Sequence, residues 1–199
     1  MDNSYHEAAH TLMAYIFADI FEIEFVTLNL EKSKLNDIES EGGLKSKIIK
    51  KYDTLSPLEN DSIILTFFAG YCADDIFNQT PITDTIYEPK YWAPKLSKKR
   101  YEGDVEKMND YLVSLLPKIN LEQAPYFSNC MKFLHKFFQK QEVWGTIELI
   151  SKELSNDENL TLTSEKLTSI IESTEILKWW KQNKTEFFNE RIKLLKNCA

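Results

Sequence analysis

The sequence predicts a mainly α-helical fold with a small β element, and three observations support this prediction. Apolar residues make up 43% of the 199 residues and aromatic residues 13%, which is enough to form a substantial core. Only 5 glycines and 6 prolines are present, which argues against both disorder and a turn-rich β-sandwich. Most of the chain carries apolar residues at helical spacing, whereas one short stretch alternates apolar and polar residues as a strand does.

The first half of the chain is predicted to contain two helices that flank a strand. Helical spacing covers residues 2–21, and the alternation of EIEFVTLNL then predicts a strand over residues 22–30. The charged residues 31–52 are predicted to form a loop with room for a second short strand. Ser56, Pro57 and Glu59 form a capping box with proline at the first helical position, and they open an apolar helix that ends near Asn78.

The second half is predicted to be helical after a long loop over residues 79–100, which holds three prolines and no clear periodicity. We divide the chain into a domain over residues 1–173 and a basic amphipathic C-terminal helix over residues 174–199. Its apolar stripe predicts intramolecular packing or an oligomer contact. The predicted helices are, in order, 103–117, 125–154 with a bend near Gly145, 163–173 capped by Thr163, and 175–198.

Charge and composition exclude several functional classes. The chain has 24 Lys and Arg against 31 Asp and Glu, a net charge of −7 that argues against a nucleic-acid-binding protein. The longest apolar stretches, residues 12–21 and 63–70, are too short to span a membrane. The three cysteines, Cys72, Cys130 and Cys198, form no CxxC pair and imply no disulfide framework, so we predict a reduced, cytoplasmic location.

The motif that carries chemistry is HEAAH at residues 6–10. His6 and His10 lie one turn apart on one face of a helix, so that both imidazoles can bind one zinc ion. Glu7 then lies beside the open coordination position, where it can act as a general base. A different interpretation is that Ser4 and Glu7 form a capping box and the histidines merely pack in the core.

This segment resembles the zinc peptidase domain of the FtsH-type AAA+ proteases. YHEAAH at residues 5–10 is similar to the tyrosine-led HEAGH helix of that family, and residues 22–30 fall where the family places an active-site strand. AGYCADDIF at residues 69–77 resembles the family segment AGRxAEELxFG. The resemblance covers roughly residues 4–173, and it implies an α-helical zinc peptidase with a small β element near the active site.

The resemblance also implies a third zinc ligand. EGDV at residues 102–105 is similar to a short acidic motif in which an aspartate at the start of a helix binds the metal, which assigns this role to Asp104. Asp104 could instead cap its helix. Asp74 is the alternative ligand, or it orients a histidine from behind. His135 lies in a helix rich in Phe and Lys, where a core or surface histidine is expected rather than a ligand.

The sequence also departs from the family. The ATPase domain and membrane anchor of the family have no counterpart in the five residues before His6, and no Gly-rich phosphate loop is present. Tyr101, Glu102 and Gly103 replace small, polar residues before the ligand aspartate. We therefore expect an ATP-independent zinc metallopeptidase acting on a peptide or unfolded protein, whose strand near residues 25–30 pairs with extended substrate.

Two other hypotheses remain at this point. The chain could be a non-catalytic interaction or adaptor module that keeps the peptidase scaffold, with structural zinc or none. It could also be a metal-free helical protein in which the motif is a coincidence. Either way it could form a homo-oligomer or work with a separate partner protein.

Overall fold

The computed structural model describes residues 3–29, 43–119 and 122–196. Within these ranges the chain forms eight α-helices and one three-stranded sheet, which confirms the predicted mainly α fold with a small β element. The elements are α1 (Ser4–Ile16), β1 (Phe21–Thr27), β2 (Gly43–Ile48), α2 (Pro57–Phe77), α3 (Pro89–Leu96), α4 (Glu102–Ile119), α5 (Gln123–Phe138), α6 (Gln141–Asn156), β3 (Thr161–Thr163), α7 (Ser164–Glu172) and α8 (Ile176–Lys196). Short 3₁₀ turns lie at Tyr52–Thr54, Asp84–Tyr87 and Lys99–Tyr101.

Helix α2 lies at the centre of the molecule and packs against α1, α4 and α5. Its predicted capping box is confirmed: Glu59 N donates to Ser56 Oγ over 3.3 Å, and Ser56 N donates to Glu59 Oε2 over 2.8 Å. Pro57 occupies the first turn, where its missing N–H leaves no intrahelical bond unmade. These contacts fix the start of the helix whose middle and end support the site described below.

We expect Ser56→Ala to destabilise the protein by about 1 kcal/mol, because the change leaves the Glu59 amide without its acceptor. The same substitution at Ser169, an exposed position inside α7, serves as the control. Alanine has the higher helix propensity, so Ser169→Ala should leave stability unchanged or raise it slightly. Urea unfolding followed by circular dichroism measures both variants. Equal stability of Ser56→Ala and the native chain would contradict this role of the cap.

Helix α1 is buried along most of its length, between α2, α6 and β1. It ends at Ile16 rather than near Phe21, because Phe21 already pairs with Ile48 in the sheet. The strand predicted over residues 22–30 is observed as Phe21–Thr27, and Leu30 lies outside the described residues. The second strand foreseen within residues 31–52 is β2. The sequence therefore predicted the order of these elements, with boundaries shifted by a few residues.

Strand β1 is the middle strand of the antiparallel sheet, whose order is β2-β1-β3. Val26 pairs with Leu44 of β2 on one side and with Leu162 of β3 on the other. The expectation that this strand offers a free edge to an extended substrate is therefore wrong, because its neighbours already use both edges over Phe25–Thr27. β3, a three-residue strand just before α7, was missed since it is too short to show alternation.

The long loop predicted over residues 79–100 is wrong in part, because it contains helix α3. Pro89 stands in the first turn of α3, a position that its fixed φ favours. Pro94 lies inside α3, and Trp92 anchors this short helix in the core. Two prolines in eight residues hid the helix from a search for helical periodicity.

Two further helix boundaries differ from the predictions. α4 continues through Pro117 to Ile119 rather than stopping at the proline. The single helix predicted over residues 125–154 is two helices, α5 and α6. They are separated at Lys140, which is the N-cap residue of α6 and has an extended backbone (ψ 131°). Gly145 lies within α6 and causes no break. A glycine weakens a helix only modestly, so it was a poor marker for the break.

The C-terminal elements pack onto the same core. Thr163 caps α7 as predicted, with its hydroxyl accepting from the Lys166 amide over 3.4 Å. Phe187 and Leu195 of α8 belong to the continuous hydrophobic cluster, in line with intramolecular packing of the predicted stripe. Arg191 of α8 forms a buried bidentate ion pair with Asp61 of α2 at 2.6 and 2.8 Å. The division of the chain at residue 173 stays a prediction.

Candidate metal centre

The two histidines of the HEAAH motif face the same point from helix α1. Both imidazoles are buried, and their Nε2 atoms lie 2.9 Å apart. The one-turn spacing produces this approach, because residues four apart lie above each other on one side of a helix. The spacing of His6 and His10 is therefore sufficient to bring two nitrogen atoms together.

Asp104 reaches the same point from the first turn of α4. Its Oδ2 lies 3.2 Å from His6 Nε2 and 3.3 Å from His10 Nε2. The carboxylate is thus directed at the imidazoles rather than serving only as a cap for α4. Its side chain is 25% exposed, compared with 4% and 6% for the two histidines, so the group opens to solvent on the side of α4.

Hydrogen bonds on the far side of each ring define its free lone pair. His10 Nδ1 lies 2.6 Å from the carbonyl oxygen of Thr66, which can only accept, so Nδ1 carries the hydrogen. His6 Nδ1 lies 3.0 Å from Asp74 Oδ2, a carboxylate oxygen that likewise accepts. In the neutral imidazoles both Nε2 atoms are therefore lone-pair acceptors. Asp74 takes the supporting position that the sequence offered as the alternative to a ligand.

Three acceptors, two nitrogens and one carboxylate oxygen, repel one another at 2.9 to 3.3 Å unless a cation lies among them. Ligand atoms of tetrahedral zinc, with bonds of about 2.0–2.1 Å, are separated by about 3.3 Å. The observed separations fit such an ion. In the described part of the chain this is the one cluster of His, Cys, Asp and Glu side chains close enough to hold a metal.

The charges around the group favour a cation. Burial opposes protonation of His6, but hydrogen bonds to Asp104 and Asp74 outweigh it and raise the pKa of His6 to about 10. Burial also opposes ionisation of Asp104, yet His10 and His6 hold the pKa of this carboxyl well below its usual range. Two carboxylates flank the His6 ring, so the group needs positive charge, which a proton or a metal ion can supply.

Glu7 is buried directly after His6. Its Oε1 accepts a hydrogen bond from Asn3 Nδ2 over 3.2 Å, and burial raises the pKa of its carboxyl while His6 and His10 act in the opposite direction. The capping-box interpretation is wrong, because Asn3 is the N-cap and Ser4 lies inside α1 with its Oγ 2.6 Å from Ser151 Oγ. The carboxylate of Glu7 is thus not used by a Ser4 capping box.

One face of α2 supports the histidines through three residues at four-residue spacing. Thr66 accepts from His10 and Asp74 accepts from His6, as described above, while Gly70 lies between them. A Cβ atom on Gly70 would lie 2.5 Å from the Nε2 atoms of both histidines. In the sequence, Gly70 stood out only as part of the AGYCADDIF resemblance. Gly70 and Asp74, four residues apart on an apolar helix, were the only signal for this face, because Thr66 contributes its backbone carbonyl, which any residue supplies.

Tyr101 also contributes and was missed as a site residue. Its hydroxyl donates to Asp74 Oδ2 over 2.9 Å, the same oxygen that accepts from His6. Its ring lies 5.8 Å from that of His6, centroid to centroid. No feature of the sequence around Tyr101 distinguishes it from an ordinary core aromatic.

The remaining candidates lie away from this group. His135 is buried against Tyr87, with Nδ1 3.3 Å from its hydroxyl, and burial lowers the pKa of His135 to about 4. This agrees with a core histidine rather than a ligand.

Burial raises the pKa of the Cys130 thiol to about 12 and that of the Cys72 thiol well above its ordinary value, so neither site favours a nucleophilic thiolate. Cys198 lies outside the described residues.

No protein-family model matches the sequence, and a search of curated proteins found no match. Among the described helices, none combines the length and apolar character needed to cross a bilayer. The function is therefore inferred from the side chains of the site themselves.

Proposed function

We propose that this chain is an ATP-independent zinc metallopeptidase related to the FtsH-type peptidase domains. The observation that carries the proposal is the approach of His6 Nε2, His10 Nε2 and Asp104 Oδ2 to within 3.3 Å of one another. Two imidazoles and one carboxylate are a donor set that suits zinc, and three protein ligands leave a fourth position open for water or substrate. The order of the motifs along the chain supports the same family.

The chemistry would be divided between the ion and Glu7. A bound zinc ion lowers the pKa of a water to about 7 and polarises the scissile carbonyl. Glu7 would accept the proton of the attacking water and pass it to the leaving amine. Burial raises the pKa of its carboxyl, which brings its basicity closer to that of an efficient base near neutral pH. Asp74 and Thr66 would keep the imidazoles in the tautomer that presents Nε2.

The substrate would be a peptide or an unfolded protein, since nothing in the described site offers a way to unfold a chain. We propose a cytoplasmic location and either a homo-oligomer or a separate partner protein that delivers substrate. The second candidate function is a non-catalytic interaction or adaptor module with structural zinc. The near-complete burial of both histidines favours this candidate, since structural zinc sites are closed.

Metal analysis tests the proposal first. We expect about one zinc per chain in protein purified without added metal, and loss of that zinc on dialysis against a chelator. His10→Ala serves as the matched control, because two remaining protein ligands hold zinc poorly. Casein or a peptide library should be cleaved before chelation and not after it. Native protein that takes up no zinc would refute the metal centre, whereas stoichiometric zinc without cleavage would favour the non-catalytic alternative.

A further inference from the structure

Residues 101–104 act on both nitrogens of the His6 ring, one directly and the other through Asp74. Asp104 approaches Nε2 directly over 3.2 Å. Tyr101, three residues earlier, reaches Nδ1 indirectly through Asp74, which accepts from the ring over 3.0 Å. Tyr101 ends the 3₁₀ turn Lys99–Tyr101, and α4 begins at the next residue. The backbone that delivers the third acceptor therefore also delivers the hydroxyl that contacts the supporting carboxylate.

The hydroxyl of Tyr101 is placed where it restricts Asp74. Asp74 Oδ2 accepts from both His6 Nδ1 at 3.0 Å and Tyr101 Oη at 2.9 Å, and both side-chain pairs are buried. The Tyr101 ring is held by edge-on packing against Tyr71, with centroids 5.4 Å apart. A hydroxyl on a fixed ring holds the carboxylate in one orientation, and the carboxylate in turn holds the imidazole. Outer hydrogen bonds of this kind tune metal affinity.

We infer that Tyr101 is a positioning residue that sets the zinc affinity of the centre by fixing Asp74 behind His6. This inference rests on the proposed metal centre, but it concerns a residue in the stretch where the sequence departs from the resembled family. Without the hydroxyl, Asp74 loses one of the contacts that hold its carboxylate, and its support of the tautomer and angle of His6 is weakened. The ring of Tyr101 keeps its packing against Tyr71 in the absence of the hydroxyl, so the fold should be retained while metal binding changes.

Tyr101→Phe tests this inference because it removes the hydroxyl and keeps the ring. We expect zinc affinity, measured by chelator competition, to fall about 10-fold to 100-fold. Tyr126→Phe is the matched control: Tyr126 is also buried and donates to a buried aspartate of α2, Asp61, over 2.6 Å. Tyr126 lies outside the metal cluster, so the zinc affinity of the Tyr126→Phe variant should stay within about twofold of the native value, even if the melting temperature of this variant falls.

A double-mutant cycle with Asp74→Ala, which removes the acceptor shared by Tyr101 and His6, identifies the route of the effect. If Tyr101 acts through Asp74, Tyr101→Phe should change zinc affinity less than about twofold once Asp74 is already replaced. Unchanged affinity in Tyr101→Phe, an equal loss in Tyr126→Phe, or full additivity with Asp74→Ala would each overturn the inference. Native protein without zinc affinity would overturn the proposed metal centre as well. Peptide hydrolysis is not needed for any of these measurements, so absence of catalysis would leave the inference intact.

Discussion

Gly70→Ala is expected to weaken zinc binding at the proposed centre strongly, although it replaces none of the three proposed ligands. A Cβ at this position would lie 2.5 Å from Nε2 of His10 and 2.5 Å from Nε2 and Cε1 of His6. Normal contacts between such atoms are about 3.5 Å or longer, so the imidazole tips would have to move by about 1 Å. Zinc bonds tolerate deviations of only about 0.2 Å. We therefore expect zinc affinity to fall by at least about 100-fold, beyond the usual loss from an outer contact.

Two other glycines provide the controls. Gly145 lies within α6 and Gly103 within α4, next to Asp104, and a Cβ at either position meets no atom within 4 Å. Alanine at both positions should leave zinc content unchanged and raise helix stability by up to about 1 kcal/mol. Zinc content by mass spectrometry, with circular dichroism to confirm folding, compares the three variants. Full zinc occupancy in a folded Gly70→Ala variant would show that the ion does not depend on this close approach.

The parts of the site that the sequence predicted are those fixed by local geometry. His6 and His10 meet because both lie on one helix, and helical spacing alone determines that they share a face. The start of α2 was likewise visible in residues 56–59, since a capping box requires only four consecutive residues. That Asp104 lies beside the histidines could be predicted only from the family resemblance, because 94 residues separate Asp104 from His10 and no local rule connects them.

The parts that could not be predicted depend on packing between distant segments. Tyr101 contacts Asp74 only because α3 and its 3₁₀ turns return the chain to the end of α2, and α3 was hidden by Pro89 and Pro94. β1 was recognised as a strand, but its central place in the sheet follows from β3, which lies more than 130 residues further along. Local propensity cannot report either arrangement, since both are decided by tertiary contacts.

Glu7→Gln is expected to reduce peptide hydrolysis by about two to four orders of magnitude, the usual size of a general-base contribution. The amide has the same shape as the carboxylate but cannot accept the proton of the attacking water. Its oxygen can still accept the hydrogen bond from Asn3, which spans 3.2 Å in the native chain. Zinc content should therefore stay at about one per chain, and the melting temperature should change little.

The control for this variant is Glu102→Gln, which removes an exposed carboxylate two residues from Asp104. This variant also loses one negative charge close in sequence to Asp104. It should leave cleavage within about twofold of the native rate, because the Glu102 side chain is exposed to solvent. Chelator-sensitive cleavage of a fluorogenic peptide, with zinc content measured on the same samples, compares both variants. Cleavage by zinc-loaded Glu7→Gln at the native rate would mean that another group takes the proton. In that case the carboxylate of Glu7 would act only through its negative charge beside the two histidines. Glu7→Gln would then change zinc affinity and leave the rate of cleavage unchanged.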